Sequence, residues 1–179
     1  MIDFQLDVSL VPVEDSEHLR AWRNDPKIWR WTRQNDLISE AQQKAWFEKQ
    51  AKDPSMRMYS IVQDEIRIVG VCGLTSIDRL NRNAEFSLYI APEYQKQKIA
   101  EKALLTLFYH GFKNMGLHLI WGETFENNHA QSLFAKIGMV QDGRRREFYW
   151  KDGKFWDAIL FSVKSDEFLL KHGDRSCFT

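Results

Sequence analysis

Cysteine is scarce in this chain. Cys72 and Cys177 are the only two among 179 residues, too few and too far apart for a disulfide framework or a metal-ligand spacing. Cys72, inside IVGVCGL, reads as a small buried hydrophobe, and Cys177, near the end, as a free thiol. His110 and His118 show no metal spacing either, so no metal is expected, and His129 reads as an exposed residue of a first helical turn. Excess charge of one sign is absent as well: 25 Lys and Arg balance 25 Asp and Glu. Non-specific nucleic-acid binding draws on a surplus of cations against phosphate, so that class is disfavoured, while local basic patches stay open. No apolar run approaches the roughly 20 residues that cross a bilayer. The opening MIDFQLDVSL alternates apolar and polar residues, which is a strand pattern and lacks the basic and apolar blocks of a signal peptide. A soluble, cytoplasmic protein is the expectation. Glycine is missing where it would matter most: EYQKQKIAEKALL, from Glu93 to Leu105, has the outline of a phosphate-binding loop running into a helix and contains none.

What is present is globular. The chain is 44% hydrophobic and 28% charged, with 7 Trp and 12 Phe, enough to build one sizeable core. One domain over residues 1–179 is expected, with 164–179 as a polar, irregular tail.

The pattern of elements is legible along the chain. Phe4, Leu6, Val8 and Leu10 alternate as a half-buried strand, and Asp15-Ser16 can cap a helix carrying Leu19 and Trp22. Pro26 suits the first turn of a short helix through Trp31. Ser39 with Gln42 is a capping box opening a helix that carries Ala45, Trp46 and Gln50. Strands follow at 57–63 and 66–75, joined by a turn at Asp64-Glu65, and another at 84–90. On this last strand Phe86, Leu88 and Ile90 share one face, and Glu85, Ser87 and Tyr89 the other. A helix then buries Ile99, Ala103, Leu104, Leu107, Phe108 and Phe112 and ends near Gly116. A strand at 117–125 leads to Asn127 or Asn128, either of which can cap a helix closed by Gly138. Two final strands, 144–150 and 154–163, meet at an Asp152-Gly153 hairpin turn. The order β-α-α-β-β-β-α-β-α-β-β predicts an α/β (α+β) domain: a mixed sheet with helices on both faces.

The centre of the chain carries the chemistry. A strand that turns tightly into a helix directs unpaired N–H groups and the positive end of the helix dipole at one point, which is an anion site. Lys96 and Lys98 add charge there, although strand-turn-helix units are common and an ordinary turn has the same outline. Gln95-Lys96-Gln97-Lys98-Ile99-Ala100 resembles the Gln/Arg-x-x-Gly-x-Gly/Ala signature of the GNAT family of N-acetyltransferases, matching at Gln95 and Ala100 and departing at Lys98. A second family motif is matched at Asn127, Ala130, Leu133, Lys136 and Gly138, with Phe134 and Met139 as departures. The resemblance covers residues 5–163 and implies the family's fold, a mostly antiparallel twisted sheet of about seven strands. LRAWRND, LIS, FENN and DGRRREFYWKDGKFWDAILF further resemble a subgroup holding ribosomal-protein N-terminal acetyltransferases and amino-sugar acetyltransferases of pseudaminic-acid biosynthesis, and lean toward the latter.

The resemblance implies direct attack of an amine on the thioester of acetyl-coenzyme A, in a ternary complex. The coenzyme is expected on Leu88, Tyr89 and Ile90 of the strand, on Gln95, Lys96, Gln97, Lys98, Ile99 and Ala100 of the turn and helix start, and on Asn127. Lys98, in place of the motif glycine, is expected at a first-turn position with negative φ. Glu85 is the first candidate for the base that takes the ammonium proton, and Glu123 the second. Either is as well explained by a solvated strand carboxylate, or by pairing with Arg82 or Arg144. Phe134 stands where many family members have the tyrosine that protonates the leaving thiolate. Tyr89, Tyr94 or Tyr149 can substitute, and a thiolate can also leave unprotonated.

For the acceptor, the resemblance places Trp22, Arg23, Asn24, Trp29 and Trp31 beside the pocket, with Tyr149 as a further contact. Arg144 and Arg146 can grip phosphates of a nucleotide-linked sugar, or form a salt-bridged face. The expected acceptor is a nucleotide-linked amino sugar. The alternatives are a protein N-terminal amine, or no catalysis at all in a coenzyme-A-binding relative. A monomer or homodimer is expected, without nucleic acid or membrane.

Overall fold

The computed structural model describes residues 8–14 and 16–173. The readings placed on Phe4, Leu6, Asp15 and Cys177 lie outside them. The strands are β1 (Val8–Pro12), β2 (Arg57–Gln63), β3 (Arg67–Asp78), β4 (Asn83–Ile90), β5 (Leu119–Phe125), β6 (Val140–Lys151) and β7 (Lys154–Lys164). The helices are α1 (Glu17–Asn24), α2 (Pro26–Trp29), α3 (Glu40–Gln50), α4 (Ile99–Tyr109), α5 (Ala130–Ile137) and α6 (Ser165–His172).

Local chemistry accounts for most of the boundaries. The Ser39 hydroxyl accepts from Gln42 N–H while the Gln42 side chain accepts from Ser39 N–H, which satisfies two donors that the start of α3 would otherwise leave open. Pro26 opens α2, where a missing N–H costs nothing, and Asp25 accepts from Lys27 N–H at 2.7 Å. Ser16 stands at the start of α1 but makes no side-chain cap. Asp64 and Glu65 both have positive φ, as do Asp152 and Gly153, the backbone that joins twisted antiparallel strands in two residues. Gly138 ends α5 at φ 100°.

The strands form one mixed sheet in the order β1-β2-β3-β4-β5-β7-β6. Every neighbouring pair is antiparallel except β4 and β5, which run parallel and pair only at Asn83–Leu119, Ala84–Ile120 and Glu85–Trp121. Beyond Glu85 the two strands part. Gly122 lies at the parting because a side chain there would strike the Phe86 ring at 2.3 Å. That ring packs edge-on against Phe108 and Phe134, at centroid distances of 5.4 and 5.1 Å, and floors the gap.

The main core lies between the sheet and α4, whose Ala103, Leu104, Leu107 and Phe108 are fully buried. On the other face Leu19 of α1 packs with Met58 and Val71, and α3 contributes Phe47. Within the tail expected to be irregular, Ser165–His172 form helix α6. Phe168 sits at centroid distances of 5.9 Å from Phe108 and 5.3 Å from Phe112. Burying such a ring stabilises by roughly 2–3 kcal/mol, enough to hold a polar, two-turn helix on the core.

Candidate active site

Where β4 and β5 part, they leave a cleft of about 590 Å³ running from α2 to the start of α4. Ala91 N–H donates to Val69 O across β3, and Tyr89 stands opposite Val71. By alternation along the strand, the N–H groups of Leu88 and Ile90 face the gap, where no strand takes them up. At one end the chain passes through Pro92–Tyr94 and turns at Lys96 (φ 66°) and Lys98 (φ 61°) before entering α4.

These two angles correct the expectation for Lys98. Its backbone is left-handed, a conformation that favours glycine, and its exposed side chain does not line the cleft. Positive φ at both lysines turns the chain sharply into α4 at the cost of strain, and the open N–H groups at the start of that helix favour an anion. Lys96, Gln95 and Ala100 line the cleft, whereas Gln97 and Lys98 are exposed outside it and Ile99 is buried in the core. Gln95 Nε2 donates to Ile90 O at 3.1 Å and closes the turn. At the other motif His129 stands at the N-cap of α5 without a side-chain cap, and Asn128, not Asn127, bonds the helix start, its Oδ1 accepting from Ala130 N–H at 2.9 Å. Asn128 also lines the cleft, while Asn127 is exposed and does not.

At the other end two carboxylates converge from the two strands. Their side chains are only 9% (Glu85) and 5% (Glu123) exposed. One guanidinium bridges them: Arg33 Nη2 donates to Glu85 Oε1 at 2.6 Å and Nη1 to Glu123 Oε1 at 3.2 Å. Arg145 Nη1 donates to Glu123 Oε2 at 2.7 Å, and the Tyr149 hydroxyl donates to Glu123 Oε1. Glu85 Oε2 has no hydrogen-bond partner among the described residues, so Glu85 has the freer carboxylate. The partners anticipated for these acids are engaged elsewhere: Arg82 Nε donates to Gly116 O, and Arg144 pairs with Glu126 and Asp157.

Two tyrosines reach the cleft. Burial, then the hydrogen bond to Glu123, pushes the Tyr149 phenol above its ordinary range. Burial does the same to Tyr89, opposed by the guanidinium of Arg23, 5.7 Å from the ring centroid. Tyr94 packs against the core and does not line the cleft, which removes it as a substitute acid. Phe134 does line it, on the floor beside Phe86 and Phe161.

On the acceptor side, Trp31 and Arg23 line the cleft, and Trp22 and Asn24 do not. Trp22 packs with Leu19 and Met58, 6.3 Å from the ring of His18. Asn24 is a brace: its amide donates to Ile38 O at 2.9 Å and its Oδ1 accepts from Ile38 N–H at 2.8 Å. Trp29 lies outside the cleft, beneath the ammonium of Lys151, 4.4 Å from its ring centroid. A second cavity of about 390 Å³ adjoins the cleft, sharing Arg23, Gln34 and Tyr89 with it and lined by Leu19, Leu37, Trp46, Phe47 and Met58.

Arg33, Gln34, Arg145, Asn128 and Lys151 were missed from the sequence. Arg33 stands in the irregular run WTRQND, and its partners are 52 and 90 residues away. Asn128 was singled out only as a possible helix cap, and its place in the cleft was not read.

An open cleft with a helix start at one end and a carboxylate pair at the other fits a group-transfer enzyme. A sequence model described as an acetyltransferase (GNAT) domain matches residues 7–140, and the chain belongs to that family. It is an N-acetyltransferase with acetyl-coenzyme A as donor. The spermidine N(1)-acetyltransferase of Escherichia coli K12 is 24% identical over 168 residues, 92% of this chain and 90% of that protein. A putative ribosomal N-acetyltransferase of Bacillus subtilis is 24% identical over 101 residues, 56% of this chain and 55% of that one. Among solved structures, the Vibrio cholerae spermidine N-acetyltransferase in complex with CoA and spermine superposes with a TM-score of 0.87 at 22% identity, over 91% of this chain and 98% of that one. A dodecameric structure of the Vibrio cholerae enzyme also matches, at 21% identity with a TM-score of 0.81, over 93% of this chain and 98% of that one. Among the described residues no helix is long and apolar enough to cross a membrane, and no group of three or more His, Cys, Asp or Glu is placed to hold a metal.

Proposed function

We propose that this enzyme acetylates a primary amine of a small cationic acceptor of the polyamine class. The observation that carries the reading is the convergence of Glu85 and Glu123, both nearly buried, on one exposed cation. Carboxylates so enclosed need a positive partner, and an alkylammonium meets that need as a neutral acceptor does not. The curated relatives that act on spermidine favour the same class. A nucleotide-linked amino sugar is less well served, because the Arg144 guanidinium expected for its phosphates is tied to Glu126 and Asp157. The apolar second cavity suits the hydrocarbon part of an acceptor.

In this reading Leu88 and Ile90 N–H groups bind the coenzyme's pantetheine arm, and Lys96 with the strained turn binds its phosphates. Bound there, acetyl-coenzyme A supplies the activated acyl thioester. Glu85 accepts the proton that the ammonium sheds before the N–C bond forms and the C–S bond breaks. Glu123, with its oxygens already occupied by donors, holds the ammonium rather than taking its proton. Tyr149 or Tyr89 stands near enough to the cleft to return a proton to the departing sulfur.

A thiol-release assay across spermidine, spermine, simple diamines, nucleotide-linked amino sugars and short peptides tests the reading. Polyamines are expected to exceed the other classes at least tenfold in kcat/KM. Preferential turnover of a nucleotide-linked sugar or of a peptide would reverse it.

A further inference from the structure

We propose that Arg33 is an internal occupant of the acceptor-ammonium subsite, which an incoming cationic amine must displace, so that Arg33 sets acceptor affinity and selects for cations. This rests on the carboxylate pair being the acceptor site. The geometry has three parts. First, a single guanidinium engages both acids, at 2.6 Å to Glu85 and 3.2 Å to Glu123, the place where an acceptor ammonium is needed. Second, the exposures are unequal. The Arg33 side chain is 54% exposed, against 9% and 5% for the acids. The cation can swing into water and be solvated there, and the carboxylates cannot; Arg145 is similarly exposed but reaches Glu123 alone, so the exchangeable bridge between the two acids is Arg33.

Third, the backbone around Arg33 is fixed independently of its side chain. The Lys151 ammonium, on a residue only 5% exposed, donates to Trp29 O at 2.6 Å, Thr32 O at 2.5 Å and Gln34 O at 2.9 Å. The Gln34 side chain is held as well, accepting from Arg23 Nη2 at 3.0 Å and donating to Asp36 O at 2.7 Å. Displacement of Arg33 therefore needs rotation about side-chain bonds and no refolding of the loop. Neutral acceptors cannot compensate the carboxylates and leave Arg33 in place. Acetylation neutralises the nitrogen held in this subsite, whatever charge the rest of the product keeps, so after transfer Arg33 regains its partners there.

The test compares Arg33→Ala and Arg33→Lys with the wild type. KM for spermidine is expected to fall at least fivefold in Arg33→Ala and by a smaller factor in Arg33→Lys, whose ammonium cannot bridge both acids. Arg33→Lys retains a cation and serves if Arg33→Ala does not fold. An unchanged or higher KM, with only kcat reduced, would make Arg33 a positioning residue and overturn the proposal. A second readout needs no acceptor turnover. Ethylguanidinium, at millimolar concentration, should raise the melting temperature of Arg33→Ala and leave those of the wild type and of Arg33→Ala/Glu85→Gln unmoved. Equal effects on all three would refute the internal-occupant proposal. If ethylguanidinium behaves as expected while no polyamine is acetylated, the acceptor class is wrong and the role of Arg33 stands.

Discussion

The Tyr149 hydroxyl donates to Glu123 across 26 residues of chain, joining the β6 edge of the sheet to the strand that borders the cleft. This contact places a late aromatic residue in the cleft, with a phenol that burial and then the Glu123 hydrogen bond push above its ordinary range. Tyr149→Phe is expected to lower kcat about tenfold or more, since a lost donor or acid at such a site commonly costs that much. If the phenol also protonates the leaving sulfur, the alkaline limb of the pH–kcat profile changes shape. An unchanged kcat with a raised KM would instead restrict Tyr149 to acceptor binding.

Glu85→Gln tests the proposed base apart from the binding groups. It keeps the shape and removes the proton acceptor, so kcat should fall roughly 10²–10⁴-fold while the dissociation constant for coenzyme A moves less than about threefold. Stopped-flow or steady-state rates with calorimetry on the same preparations check both halves. Wild-type turnover in the variant would transfer the role to Glu123.

Lys98 and Lys96 are close in sequence, but only Lys96 lines the cleft. Lys98→Gly relieves a left-handed lysine, an arrangement that costs about 1 kcal/mol, and should raise the melting temperature by roughly 2–4 °C. Its side chain does not line the cleft, so coenzyme affinity should stay within about threefold. Lys96→Glu puts a carboxylate in the cleft and should weaken coenzyme binding about tenfold. Equal effects of the two substitutions on affinity would place the phosphates differently.

Lys151→Met tests the anchor under the acceptor loop. It leaves the carbonyls of Thr32 and Gln34 without the Lys151 donor, while Trp29 O keeps the Thr32 N–H and hydroxyl, and each buried orphan acceptor costs about 1–3 kcal/mol less whatever water recovers. A stability loss of roughly 2–4 kcal/mol in urea melts is expected, with faster amide exchange over residues 29–36. Slow exchange there would mean that the loop is held without Lys151.

Asp157 gives the acid dependence. The Glu147 N–H, donating at 2.7 Å, and then the Arg144 side chain hold its carboxyl below the ordinary aspartate range. A depressed carboxyl binds fewer protons folded than unfolded, so its contribution is complete above the unfolded value, about pH 4, and is lost as pH falls through the folded value. Asp157→Asn should therefore destabilise most at neutral pH, with the gap to wild type narrowing below about pH 4. Thermal melts at pH 7, 5 and 3 decide it, and a constant gap would show that Asp157 does not titrate with unfolding.

What the sequence determined by itself was whatever rests on near neighbours. The capping box of Ser39 and Gln42, the turn at Asp64-Glu65, the Asp152-Gly153 hairpin and the Gly138 cap are each set within a few residues, and strand and helix periodicity places the core faces between them. Glu85 and Glu123 were legible as acids on cleft-side strands for the same reason. The left-handed Lys98 was not legible, because its φ follows from how the turn must meet α4 and lysine signals no such angle. The α6 helix was hidden in a polar segment because its single buried anchor, Phe168, acquires partners only when α4 is folded beneath it. The arginine bridge and the lysine anchor belong wholly to the tertiary structure. Arg33 meets acids 52 and 90 residues away, and Lys151 meets a carbonyl 122 residues away. Such contacts depend on the strand order β4-β5-β7-β6, which brings distant segments side by side, and no local pattern of polarity encodes which cation will reach which buried anion.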